Sequence, residues 1–233
     1  MARWATADDA TLARVMRVDR GLVVALSENG PVRAGLGGGL LSAMAREPEQ
    51  GPCVGDWCRL RSWSDGRTTV DALLPRRTAL VRAVAGDRGR ERVGGEVLCA
   101  NVDLAAVVVA VHPPTEAARL EELVALAETS GARPLMVRTG SDEVEELRTR
   151  LEGRLTLALL GASGHGQPGL VHALTGAFPL RTGEVRGPRR SSMANELIPL
   201  PGGGAVVDVP WSTRLPAQRD WRRRRHQSGR MRP

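Results

Sequence analysis

Between Leu155 and Leu174 an apolar run leads into Gly161-Ala162-Ser163-Gly164-His165-Gly166, then into Gln167, Pro168 and an apolar helical pattern. Strand, glycine-rich turn and helix in that order aim backbone N–H groups and a helix N-terminus at one point, the arrangement that cradles an anion. Two phosphate-reading patterns compete for the loop. Gly-x-x-x-x-Gly-Lys-[Ser/Thr] takes Gly161 and Gly166 as its glycines, but its lysine falls on Gln167 and its hydroxyl on Pro168. The lysine would carry positive charge to the terminal phosphates and the hydroxyl would ligate Mg²⁺; a neutral amide and a ring without an N–H supply neither. Pro168 is still good chemistry for a first helical turn. Gly-x-Gly-x-x-Gly takes Gly164, Gly166 and Gly169, with Glu184 near the ~20-residue offset of a ribose-binding acid. That acid should end a second buried strand, whereas residues 177–184 read AFPLRTGE, with a proline and no apolar run. On chemistry alone, a tight turn whose glycines serve packing accounts for the loop equally well. His165 reads as a solvated loop residue.

The elements that would hold this loop form an alternating series. LAAVVVAV, from Leu104, is apolar at successive positions, as a strand buried on both faces requires. Leu120, Leu123, Val124 and Ala127 follow at helical spacing, with Thr115 placed to cap the helix. PLMV reads as a second strand, 141–151 as a second helix, LTLALL as a third strand, 167–175 as a third helix, and ELIPL-PGGG-AVVDV as a hairpin. Alternating strands and helices imply a parallel α/β layer. Ahead of it, RVMRV, LVVAL, PVRAGL, DWCRLRSW and RTTVDALL are short strands separated by turn-rich breaks, Gly37-Gly38-Gly39 among them. Five such strands predict a small closed barrel of the oligonucleotide-binding (OB) type, which periodicity alone does not separate from an SH3-like barrel.

The chain of 233 residues has Lys+Arg 33, and every one of these is arginine, so no mechanism that needs an ammonium is open to it. Net charge is +7. All of it sits at the end of the sequence, where 214–233 hold eight arginines against Asp220. Aromatics are only 3%, little material for a surface of stacked rings. Three cysteines and an N-terminal sequence without an apolar leader fit a reducing cytoplasm, and no apolar run approaches the ~20 residues that span a bilayer. No membrane partner is expected. Cys53 and Cys58 have neither a second pair nor a nearby histidine, so they read as small core residues and no metal site is expected.

Seven segments in order, VGDW (54–57), LLPRRTALVR (73–82), ANVD (100–103), GASGHG (161–166), LRTGEVR (180–186), NELIPLPGGG (195–204) and VVDVP (206–210), resemble the ribosome-small-subunit-dependent GTPases called RsgA or YjeQ. The resemblance spans about Arg14 to Pro210. It implies an OB-like β-barrel followed by a circularly permuted P-loop GTPase-like α/β domain, with GTP and Mg²⁺ as ligands and the small ribosomal subunit and its rRNA as partners. It also implies a C-terminal zinc domain, but no cysteine follows Cys99 and zinc is not expected. The family's guanine-reading Asn-Lys-x-Asp falls on Thr139, Gly140, Ser141 and Asp142, keeping only the acid; the segment with a further base contact is shortened to about 143–154. The switch motif reads Arg190, Ser191, Ser192 and Met193. Asp-Thr-Pro-Gly reads Asp208, Val209, Pro210 and Trp211, with tryptophan where a glycine N–H would face the γ-phosphate.

These departures predict a cytoplasmic, monomeric protein of small-subunit biogenesis that binds rRNA while GTP binding and hydrolysis are lost or weak. The degraded nucleotide positions are Gly161, Ser163, Gly164, His165, Gly166, Gln167, Pro168, Asp142 and Asp208; none is assigned a catalytic role. One alternative is a working GTPase in which Arg186 or Arg190 replaces the lysine, another a paralogue without ribosome contact. Arg59, Arg61, Arg76 and Arg77 on and after the barrel, and Arg222, Arg223, Arg224 and Arg225 in the tail, are the expected phosphate ligands. Trp57 and Trp63 read as barrel core. The expected divisions are an extension over 1–13, the barrel over 14–84, the GTPase-like domain over 85–210 and an Arg-rich disordered tail over 211–233.

Overall fold

A computed structural model of the chain describes residues 10–84, 94–109, 115–138, 141–151, 154–162, 167–176 and 195–211. Strands β1 (Ala10–Asp19), β2 (Leu22–Ser27), β3 (Gly30–Leu36), β4 (Trp57–Ser62) and β5 (Thr68–Leu73) close into a barrel in the order β1-β2-β3-β5-β4. All five strands lie where the alternation places them. Ala13, Val15, Val23, Ala25, Ala34, Cys58, Leu60 and Val70 fill the interior, and their neighbours along each strand face out. One break in the sequence pattern is a helix instead: α1 (Gly38–Arg46) sends Leu40 and Met44 into the barrel core. It starts where the chain passes so close to β5 that a Cβ on Gly37 would lie 2.8 Å from the Val70 carbonyl oxygen. Glycine there secures the approach but hides the helix from a propensity reading.

Beyond the barrel, β6 (Ala79–Val84) and β7 (Gly94–Ala100) pair antiparallel, and the boundary expected near 85–100 falls within this strand pair. Next come β8 (Leu104–Val109), α2 (Ala117–Thr129), β9 (Arg133–Arg138), α3 (Ser141–Leu151), β10 (Thr156–Ala162), α4 (Gln167–Thr175), β11 (Glu196–Pro199) and β12 (Ala205–Trp211). The sheet runs β11-β12-β10-β8-β9, with β9, β8, β10 and β12 parallel and β11 antiparallel at one edge. Its central strands are buried on both faces, as their unbroken apolar runs require. Leu123, Leu126 and Ala127 of α2 cover one face; Leu147 and Leu151 of α3 with Leu170 and Leu174 of α4 cover the other. The expected Thr115 cap is corrected: Glu116 occupies the capping position of α2, with no side-chain bond to the helix.

The barrel and the layer share one core. A β-bulge between Val15 and Arg17 puts Met16 out of alternation, and its side chain joins Val54, Leu80, Leu98, Cys99 and the α2 face of the sheet. Cys53, Cys58 and Cys99 are all buried, and burial pushes the Cys58 and Cys99 thiols up to about 12. The native protein at pH 8 should therefore leave these three thiols unmodified by a disulfide-exchange reagent, while all three react after unfolding. Fast labelling of the native chain would contradict this packing.

Candidate functional site

The glycine loop leaves the centre of the sheet. Gly161 and Ala162 end β10, and in the parallel register they lie opposite Pro210 and Trp211 of β12. Ligands of open α/β sheets bind in the crevice beyond the carboxyl ends of such strands. Gln167 and Pro168 form the first turn of α4, on the far side of the loop, as expected. Ser163, Gly164, His165 and Gly166 lie outside the described residues, as do Glu184, Arg186 and the switch positions 190–193. Asp142 stands in the first turn of α3, directly after β9. The fold thus brings the start of the glycine loop, the end of β12 and the α4 N-terminus together.

A nucleoside triphosphate with Mg²⁺ does not fit the chemistry placed there. Of the three groups that normally grip it, the cation is an amide at Gln167, the metal-binding hydroxyl is a proline without an N–H at Pro168, and the glycine at the end of β12 is Trp211, level with Ala162. Asp208 is the acid that remains, opposite Leu159 on β10 and Glu196 on β11. Burial alone raises its pKa, and no neighbouring charge lowers it. A carboxyl whose folded pKa lies above its unfolded one favours folding at pH values below the unfolded pKa and loses that contribution as pH rises through the folded value. Asp208→Asn should accordingly stabilise the protein at neutral pH, with the gain fading as pH drops to the ordinary carboxylate range near ~4. Denaturant unfolding of both proteins at pH 4 and pH 7 checks the sign.

At the other end of the sheet a polar junction ties the barrel to the layer. Asp103, just ahead of β8, receives the Thr156 N–H at 2.8 Å on Oδ2 and the Arg77 guanidinium at 3.1 Å on Oδ1. Its backbone N–H donates to the Thr156 carbonyl at 2.9 Å and its carbonyl accepts from the Arg133 N–H at 2.9 Å, so one residue locks the starts of β8, β9 and β10. Asn101, in the left-handed conformation at φ 54°, donates from Nδ2 to the Gly55 carbonyl at 3.1 Å and accepts the Arg77 N–H on Oδ1 at 2.9 Å. Arg14 stacks on Trp57 and donates to the Asn101 carbonyl at 2.8 Å. Gly55 is pressed against this segment at φ +87°, where a Cβ would stand 2.1 Å from the Ala100 carbonyl oxygen. Gly55→Ala should destabilise the chain by about 2–3 kcal/mol in urea unfolding, since left-handed strain and a displaced backbone act together. A loss below about 0.5 kcal/mol would mean that the junction yields freely.

The expected phosphate ligands divide. Arg76 is taken up by the protein: Nε and Nη2 donate to Asp56 at 2.7 and 2.8 Å, Nη1 to the Glu49 carbonyl and Nη2 to the Gly51 carbonyl. Asp56 is fully buried, and its carboxylate also receives the Cys53 N–H at 2.8 Å. Arg77 is exposed, paired with Asp103. Arg59 and Arg61 lie on the outer face of β4, and Arg61 stacks on Trp63. Arg222, Arg223, Arg224 and Arg225 lie outside the described residues. Trp63 is not barrel core but 42% exposed, while Trp57 is half-buried beneath Arg14. Asp56, Asn101 and Asp103 were absent from the expected site residues, although each sits in a segment, VGDW or ANVD, that carried the resemblance.

An OB-type barrel ahead of a sheet in which the glycine loop follows the β9–α3 unit is the fold of a circularly permuted GTPase. The crystal structure of YjeQ from Thermotoga maritima superposes with a TM-score of 0.61 at 20% identity, covering 86% of this chain and 74% of that one. That of YloQ, a circularly permuted GTPase, gives 0.54 at 18%, covering 92% and 76%. No family model matches the sequence. Among curated proteins, the small ribosomal subunit biogenesis GTPase RsgA of Syntrophotalea carbinolica is 33% identical, over 87% of this chain and 65% of its own length. That of Streptomyces coelicolor is 31% identical, over 84% and 61%. The chain belongs to the RsgA family, and it spans under two thirds of the length of these two relatives.

Proposed function

We propose that this chain acts in small-ribosomal-subunit biogenesis by binding rRNA, with GTP binding and hydrolysis lost or weak. The observation that carries the reading is the end of β12. Trp211 lies level with Ala162 at the mouth of the glycine loop, in a protein whose loop continues into Gln167 and Pro168 and which encodes no lysine. What remains of the family's architecture supports a binding role. The barrel, the sheet and the polar junction between them are complete among the described residues, and Arg61 and Arg77 stand on exposed surface. Neutralised phosphates release counterions, so such binding weakens steeply with salt. No helix among the described residues is long and apolar enough to cross a membrane.

Co-sedimentation of the purified chain with small ribosomal subunits across a salt series tests the proposal. Pelleting at low salt, lost progressively as salt rises and indifferent to added GTP, is the expected result. Failure to pellet at low salt would overturn the ribosomal role, and Mg²⁺-dependent GTP turnover stimulated by the subunits would overturn the loss of the enzyme.

A further inference from the structure

The exposed tryptophan at the tip of the β4–β5 hairpin has no task in the fold. Strand alternation turns Cys58 and Leu60 into the barrel and leaves Arg59, Arg61 and Trp63 on the opposite face. Trp63 keeps 42% exposure although the Arg61 guanidinium lies only 4.4 Å from its ring centroid. Its Nε1–H donates to Thr69 Oγ1 at 2.9 Å, so the indole is fixed in orientation and its one polar group is satisfied. What it offers outward is therefore an aromatic surface beside a cation. In a chain with 3% aromatics, a ring left on the surface in this way is unusual.

The turn beneath it is pre-organised. Trp63 N–H donates to the Arg67 carbonyl at 2.8 Å and Gly66 N–H to the Trp63 carbonyl at 2.9 Å, closing the hairpin. Asp65 accepts the Arg67 N–H at 3.1 Å and its Nε–H at 2.6 Å, so the acid at the turn is already matched by a cation. Across the β1–β4 pairing, Ala10 lies opposite Arg61, and Leu12, 52% exposed, lies opposite Arg59. The surface is thus a rigid ring, a stacked guanidinium and a small apolar margin, at a hairpin of the kind through which OB barrels hold oligonucleotides.

We propose that Trp63, held by Thr69 and backed by Arg61, is a stacking platform for one unpaired RNA base, with Arg61 and Arg67 beside the adjoining phosphates. A purine or pyrimidine presents a π-face that stacks on an indole whatever its identity, whereas a paired base has both faces covered by its neighbours. The platform therefore selects unpaired RNA over duplex without reading sequence. This assignment deepens the rRNA-binding reading and rests on it.

The test uses the full chain and two end-labelled probes, an unpaired uridine dodecamer and an RNA hairpin, with affinities measured by fluorescence anisotropy over a salt series. Trp63→Ala should weaken the unpaired probe about 5- to 150-fold, change the hairpin little, and leave the salt slope unaltered. Arg61→Ala should flatten the slope on the unpaired probe by about 0.7, the value of one phosphate contact on a single strand. Trp63→Phe, which keeps a ring in a minimally altered surface, should retain most of the affinity and separates stacking from damage to the turn. Unchanged affinity in Trp63→Ala, an equal loss on both probes, or no binding of the unpaired probe by the unaltered chain would each overturn the platform. Co-sedimentation of the unaltered chain with small subunits is read separately: if the dodecamer results hold and the chain fails to pellet, the platform stands and the ribosomal role falls.

Discussion

Titrated with GTP and Mg²⁺, the purified chain should show no stoichiometric binding at low micromolar nucleotide. Charge-assisted hydrogen bonds are worth about 1.5–3 kcal/mol each. Gln167 and Pro168 remove the phosphate-loop cation and the metal's hydroxyl ligand, and Thr139 and Gly140 remove most of the base contacts, so together the losses exceed ~5 kcal/mol. At about 1.4 kcal/mol per decade, affinity falls by more than ~10³-fold relative to a pocket with those groups in place. Trp211 acts in the same direction, because the parallel pairing with β10 puts the residue level with Ala162, where the loop begins. A calorimetric titration decides the matter. One site filled at low micromolar GTP, or phosphate release by the chain alone, would show that an arginine has taken over the lysine's part.

Asp56→Ala should lower the free energy of unfolding by about 3–5 kcal/mol, because it strands a charge inside the protein. The Arg76 side chain is only 14% exposed and the Asp56 side chain not at all, so water cannot replace the missing carboxylate. The Cys53 N–H loses its acceptor in the same step. Arg76→Ala should be comparably harmful, leaving the anion unmatched. Changing both residues to apolar ones of similar size should recover much of the loss, since it is an unmatched buried ion, more than the absence of a pair, that destabilises. Denaturant unfolding of the two single variants and the double variant measures this. Single-variant losses under 1 kcal/mol would mean that the site hydrates readily.

Much of the architecture was legible because the physical signals were local. Two-residue alternation marked the five barrel strands, and unbroken apolar runs marked β8 and β10 as strands covered on both faces. The pieces that escaped depend on distant partners. No local propensity favours a helix that opens with Gly38 and Gly39; α1 forms because Leu40 and Met44 find the open end of the barrel. Arg76 looked like an RNA ligand because its partner, Asp56, lies twenty residues away and is hidden by the fold. Trp63 was misassigned for a different reason. It shares strand parity with Arg59 and Arg61, so alternation already pointed it outward, and the general preference of tryptophan for interiors was given more weight. Near the glycine loop the sequence identified the anion-cradle motif, while the register that sets Trp211 against Ala162 came only with the paired strands.

The bulge at Met16 bears on how such a protein can change over time. By turning one barrel residue into its neighbour's interior, it makes each half the lid of the other: cutting the chain after the barrel would uncover Met16 and Val54, and deleting the barrel would uncover Leu80 and Leu98. A lineage can strip the crevice of its phosphate chemistry one substitution at a time, yet it cannot discard the layer that carries the crevice without also losing the barrel.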